Sequence, residues 1–159
     1  MGAEPLHIGW ILKASLGRWN LTGPRRLPRL YTSLQPACAV AEFEKHLARY
    51  GAPKQRDLVD IHVAVGPVLN LTDPSVCVRL DVDEDALVGD CQRDLRACRT
   101  LARTHVLDGE YRAILAPSAA LKGHSNLMIY FDQTDGIQEL SNGKVRETIS
   151  AGDQWPGGS

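Results

Sequence analysis

Two hydrophobic periods stand back to back in this chain, and they constrain its fold more than any other feature. Between Pro36 and Tyr50 the apolar residues Ala37, Val40, Ala41, Phe43 and Leu47 recur at helical spacing, and Gly51 ends the run. Between Leu58 and Val65, the residues Val59, Ile61, Val63 and Val65 alternate with polar neighbours, the period of a half-buried strand. A helix with one apolar stripe is thus followed at once by a strand with one apolar face, and each needs a partner layer.

The other segments extend the pattern. Leu6–Lys13 alternates Ile8, Trp10 and Leu12 and is expected to be a first strand; Gly17–Pro28 is loop. Leu30–Ser33 reads as a short strand, with Ser33 placed to cap the helix that follows. Val68–Leu71 is another strand, and Asp73-Pro74 opens a short helix or turn. Asp81–Asp90 is an acidic loop, and Cys91–Leu107 a helix with Leu95, Cys98, Leu101 and Ala102 facing inward. Gly109 breaks the chain, Arg112–Ala116 is a strand ending at Pro117-Ser118, and Leu127–Phe131 is an apolar strand. Within Gly136–Ile149 the pair Asn142-Gly143 predicts a hairpin turn. Strands and helices mix without βαβ alternation. The expected class is α+β, one domain over residues 1–150 with a mixed, mainly antiparallel sheet flanked by helices, then a flexible tail over residues 151–159.

A chain of 159 residues can bury a real core. No apolar run approaches the roughly 20 residues of a membrane helix, and no charged head precedes an apolar stretch as in a secretory leader. The cytoplasm is the expected compartment. Cys38, Cys77, Cys91 and Cys98 include no C-x-x-C pair and no histidine at zinc spacing, so reduced thiols and no metal are expected. Cys91 and Cys98, seven apart, are placed on one helix face. Charge is uneven. Residues 1–56 carry nine Lys/Arg against three acids, while the remainder carries nine against sixteen. A positive N-terminal third suits an anionic ligand, a nucleic acid or an acidic partner, or is simply a solvated face. No helix-turn-helix, zinc or RNP pattern supports nucleic-acid binding, and no direct binding is expected.

Five residues are candidates for a functional role, each beside an ordinary structural one. Arg18 sits in a Gly- and Pro-rich loop; guanidinium can bond two oxygens of a pyrophosphate, although a surface arginine paired with an acid is its ordinary role. Glu42 interrupts the apolar stretch Ala37-Cys38-Ala39-Val40-Ala41. A partly buried carboxylate needs a partner or a role; the plain alternative is pairing with His46 or Arg49, and Glu44 is a competing acid. Ser118 follows a strand end, where a serine usually closes a turn; no G-x-S-x-G surrounds it, which argues against a serine hydrolase. Asn126 precedes an apolar strand and offers an amide, or else fills a turn. Tyr31 can stack on a ligand or fill the core beside Trp19. His124 reads as a loop histidine.

The segments "GRWNLTG", "LYTSLQPACAVAEF" and "APSAALKGHSNLMIYF", in that order, resemble the RES domain, named for its arginine, glutamate and serine. The resemblance runs from Gly17 to Phe131 and implies an ADP-ribosyltransferase-like architecture. It implies the toxin of a bacterial toxin–antitoxin pair that consumes NAD by cleaving its nicotinamide–ribosyl bond, with water, phosphate or a protein side chain as acceptor. The implied partner is an Xre-type antitoxin, with room for a homodimer in the complex; no metal and no membrane are implied. Arg18, Glu42 and Ser118 would be catalytic, and Arg18, Tyr31, Ser118 and Asn126 would bind NAD. The upstream arginine and tyrosine usual in RES proteins are absent from the seventeen residues before Arg18, and Lys13 is the sole lysine or arginine there. Lys13 is therefore expected as a second NAD-binding cation. The alternative is a catalytically impaired nucleotide-binding module.

Overall fold

A four-stranded mixed sheet carries the fold, and its register explains where polar side chains gather. The structure is a computed structural model describing residues 18–21, 29–50, 55–130 and 137–150. The strands are β1 (Arg29–Ser33), β3 (Val68–Asn70), β4 (Ala113–Pro117) and β5 (Ser125–Tyr130), in spatial order β1-β5-β4-β3. β1 and β4 both run antiparallel to β5, whereas β3 runs parallel to β4. A separate antiparallel pair joins β2 (Gln55–Val65) to β6 (Ile137–Ser150). The expected α+β class with a mixed, mainly antiparallel sheet is what forms.

The helical segments follow the sequence pattern closely. α1 spans Pro36–Tyr50, α2 spans Pro74–Arg79 and α3 spans Gln92–Ala102. Asp73 caps α2 by accepting from the Ser75 N–H at 2.9 Å, with Pro74 in the first turn. A 3-10 turn (Glu84–Leu87) precedes α3 and a π turn (Arg103–Leu107) follows it. From the sheet, Leu69, Ile114, Ala116, Met128 and Tyr130 meet Cys77, Leu87, Cys98, Ala102 and Val106 of these segments, and Trp19 joins the same cluster. Every one of these is at most 2% exposed, so the core of the described residues is continuous from sheet to helices.

Four expectations are corrected. Asn142-Gly143 makes no hairpin: β6 is one strand, with Asn142 opposite Ile61 and Val145 opposite Val59. Three steps on one strand face two on the other, so Gly143 lies in a bulge, the other use of glycine in a strand. Ser33 does not cap α1. It ends β1, its hydroxyl turned to Asn126, and the Gln35 carbonyl opens the helix by accepting from Cys38 and Ala39 N–H at 3.1 Å. The helix expected over Cys91–Leu107 is α3 plus the π turn, and Cys91 is the exposed N-cap residue, off the buried face of Cys98. Asp81–Asp90 is not plain loop; it buries Leu87 in the 3-10 turn. Leu6–Lys13, with Lys13 itself, and the tail from Ala151 lie outside the described residues.

Candidate functional site

The site grows from one register position. Asn126 in β5 lies opposite Ser33 of β1 and opposite Ala116 of β4. Side chains alternate along strands, so Tyr31 and Ser33 share a face of β1, and Ser118 lies two residues beyond Ala116 past the end of β4. Asn126 was expected ahead of its strand. It is inside it, 1% exposed, in the same strand as the buried Met128, Ile129 and Tyr130.

Helix α1 brings the carboxylate. Cys38, Glu42 and Lys45 stand at positions i, i+4 and i+7, one stripe of the helix. The stripe crosses from core to surface: Cys38 is fully buried, Glu42 half-buried, and the Lys45 side chain one-third exposed. The Cys38 thiol lies 3.4 Å from Asn126 Oδ1, fixing the depth at which the stripe meets the sheet.

Glu42 Oε1 accepts two hydrogen bonds, from Ser118 Oγ at 2.8 Å and Asn126 Nδ2 at 2.6 Å. Asn126 Nδ2 also donates to the Tyr31 hydroxyl at 3.1 Å, and Asn126 Oδ1 accepts from Ser33 Oγ at 2.6 Å. Ser118 Oγ in turn accepts from the Ala120 and Leu121 N–H groups, both at 3.1 Å. The serine therefore closes a turn and bonds the Glu42 carboxylate at once. The loop returns through Gly123, whose φ of 83° favours glycine. His124, half-buried in this loop, gives its carbonyl to the Ser118 N–H at 2.8 Å.

Tyr31 is held from the opposite side. The Arg29 guanidinium lies 5.2 Å above its ring, and Arg29 Nε donates to Asn20 Oδ1. Burial, then the nearby Glu42 carboxylate, pushes the Tyr31 hydroxyl far above its ordinary range, so it keeps its proton and can donate. Burial also lowers the Arg29 guanidinium from its ordinary value, against the raising influence of Tyr130 and Tyr31.

The Arg18-Trp19-Asn20 segment is anchored by its middle residue. Trp19 is 1% exposed, and its carbonyl accepts from the Tyr130 hydroxyl at 2.7 Å. With Trp19 fixed in the core, Arg18 projects towards the start of α3. Its Nη2 donates to Asp90 Oδ1 at 2.9 Å and its Nη1 to the Gly89 carbonyl. Lys45 Nζ reaches the same Asp90 carboxylate at 3.1 and 3.2 Å, and the Ala119 carbonyl beside Ser118 at 3.3 Å. An unbroken chain of polar contacts thus leads from Arg18 through Asp90, Lys45 and the 118–121 turn to Glu42, Asn126 and Tyr31. Five of the six residues singled out in the sequence meet in one constellation; Lys13 is outside the described residues.

Sequence reasoning missed Ser33, Arg29, Lys45 and Asp90. Lys45 had a signal, because it lies three residues after Glu42 on a predicted helix. Asp90 had none, since only folding brings it to Arg18. Among the described residues no group of three or more His, Cys, Asp or Glu gathers to hold a metal, and no helix is long and apolar enough to cross a membrane. The arrangement offers a carboxylate fixed through one oxygen, a protonated phenol, and two cations on a half-exposed aspartate. A family model, that of the RES domain, matches residues 7–148. No curated protein and no solved structure matches the chain.

Proposed function

The chain belongs to the RES domain family, and from that premise we propose that it is a toxin-type enzyme that consumes NAD by breaking the nicotinamide–ribosyl bond. The observation that carries this reading is the joint hold of Ser118 and Asn126 on Glu42 Oε1. Two donors on one oxygen fix the rotation of the carboxylate and leave its charge in a half-buried setting, where it acts more strongly than in water.

The chemistry follows from the bond. Nicotinamide leaves with the bonding electron pair and becomes neutral, while the ribosyl carbon becomes electron-poor, as in glycoside cleavage. Glu42 is the group that opposes this developing positive charge. The protonated Tyr31, with its ring and its hydroxyl, orients the nicotinamide or the adjoining ribose, and Asn126 fixes the Tyr31 oxygen relative to Glu42. Arg18 is the cation for the pyrophosphate, and Ser118 holds the glutamate in register with the turn behind it. The acceptor is water, inorganic phosphate or a protein side chain. No metal is needed for these steps. An Xre-type antitoxin that covers the site would neutralise the activity in the cytoplasm.

The test is release of nicotinamide from NAD by the purified chain. Glu42→Gln keeps the shape and an acceptor oxygen but removes the charge. Loss of one preorganised electrostatic contact typically costs about 10²–10³ in kcat. In cells, expression should lower NAD and arrest growth, and Arg18→Ala and Glu42→Ala should relieve both. Unchanged NAD during arrest, with no nicotinamide released in vitro, refutes the reading. One observation favours a second reading, a module that binds the nucleotide without turning it over: Arg18 is already salt-bridged to Asp90. NAD binding without nicotinamide release would establish it.

A further inference from the structure

The geometry points to Lys45 as the second cation of the anion site and to Asp90 as a built-in competitor that the ligand's diphosphate must displace. The inference rests on the nucleotide reading above and deepens it by naming groups outside the arginine, glutamate and serine set.

Two cations from unconnected segments converge on one carboxylate. Arg18 Nη2 lies 2.9 Å and Lys45 Nζ 3.2 Å from the same oxygen, Asp90 Oδ1. The side chains differ in exposure: 10% for Arg18, 33% for Lys45 and 52% for Asp90. The cations are therefore seated, and the anion between them is the outermost of the three. The Arg18 side is held by the buried Trp19 and by the Gly89 carbonyl, and the Lys45 side by helix α1 and the Ala119 carbonyl. Each cation thus has a second contact that does not involve Asp90. A diphosphate carries more negative charge than one carboxylate and has oxygens enough to meet both groups at once.

Place on the helix sets the direction. Lys45 stands one turn beyond Glu42, and its second partner adjoins Ser118. A ligand whose ribose meets Glu42 extends its phosphates along α1 towards Lys45 and Arg18. This supplies a second cation beside Arg18 from a position in sequence outside the three motifs. It also predicts an opposite sign from a purely structural role. If Asp90 only positioned Arg18, its removal would weaken anion binding; if it competes, its removal strengthens binding.

The experiment is calorimetry of the full chain in a Glu42→Gln background, so that NAD is not consumed, with inorganic pyrophosphate and NAD as separate probes. Asp90→Asn should tighten both several-fold. Lys45→Ala should weaken both about ten- to hundredfold, the scale of one charged hydrogen bond, and Lys45→Arg should retain binding. Looser binding in Asp90→Asn, or no change in either Asp90→Asn or Lys45→Ala, overturns the inference. NAD binding in that background, and nicotinamide release by the chain with Glu42 intact, that both ignore the two substitutions leave the NAD reading standing and the inference fallen. Pyrophosphate binding that follows the expected pattern in a chain that does not bind NAD leaves the inference standing and overturns the NAD reading.

Discussion

Asn126→Ala tests whether the site and the fold share one set of hydrogen bonds. The amide is 1% exposed and meets Ser33, Tyr31 and Glu42 at 2.6, 3.1 and 2.6 Å. A neutral hydrogen bond contributes about 0.5–1.5 kcal/mol and one to a charged group about 1.5–3 kcal/mol. Two neutral bonds and one charged bond give a loss of about 2.5–6 kcal/mol, and about 3–4 kcal/mol is expected because Ser33 and Glu42 are half-buried and regain some water. Against a typical domain stability of about 5–15 kcal/mol, the variant should fold but unfold at a much lower urea concentration, with unchanged m. Asn126→Leu separates polarity from volume. It fills the space yet leaves the same partners unsatisfied, so it should remain destabilised by about 2 kcal/mol or more. A loss below about 1 kcal/mol in both variants would refute the claim that this amide organises the site.

Three other outcomes follow from the same structure. Burial raises the Tyr31 and Tyr130 hydroxyls and the Cys98 thiol, so the folded chain keeps protons that the unfolded chain releases from about pH 8.5 (Cys) and about pH 10 (Tyr). The unfolded state then binds fewer protons, and stability should fall as pH rises through that window; a flat urea midpoint between pH 7.5 and 10.5 would contradict this. At Gly89 an added Cβ would lie 1.9 Å from Asp94 Oδ2 and 2.7 Å from Asp94 Cγ, so Gly89→Ala must move a largely buried carboxylate beside the carbonyl that holds Arg18. It should weaken NAD binding in calorimetry, and an unaltered affinity would show that the Gly89 carbonyl does not fix Arg18. Of the four cysteines only Cys91 is exposed, so native protein should show one fast thiol towards a colorimetric disulfide reagent, lost in Cys91→Ser.

Most of the described elements, and the candidate residues that the fold sets side by side, are legible in the sequence. The periods over residues 36–50 and 58–65 place α1 and β2 correctly because helix and strand each write their geometry into the spacing of apolar side chains. Arg18, Tyr31, Glu42, Ser118 and Asn126 were legible because short motifs keep their neighbours, even though no residue in one motif touches another along the chain. Tertiary structure alone decided what those residues do to one another. Asn142-Gly143 has the same local chemistry in a hairpin and in a bulge, and pairing with β2 selected the bulge. Ser33 could cap a helix or bond across a sheet, and the register that sets it opposite Asn126 chose the sheet. Asp90 carries no local signal, because an aspartate before a helix is ordinary. Its meeting with Arg18, 72 positions away, exists only once Trp19 is buried and α3 is packed on the sheet. Local spacing encodes elements because their backbone geometry is local; the site's electrostatics depend on distances between charges far apart in sequence, and only packing sets those.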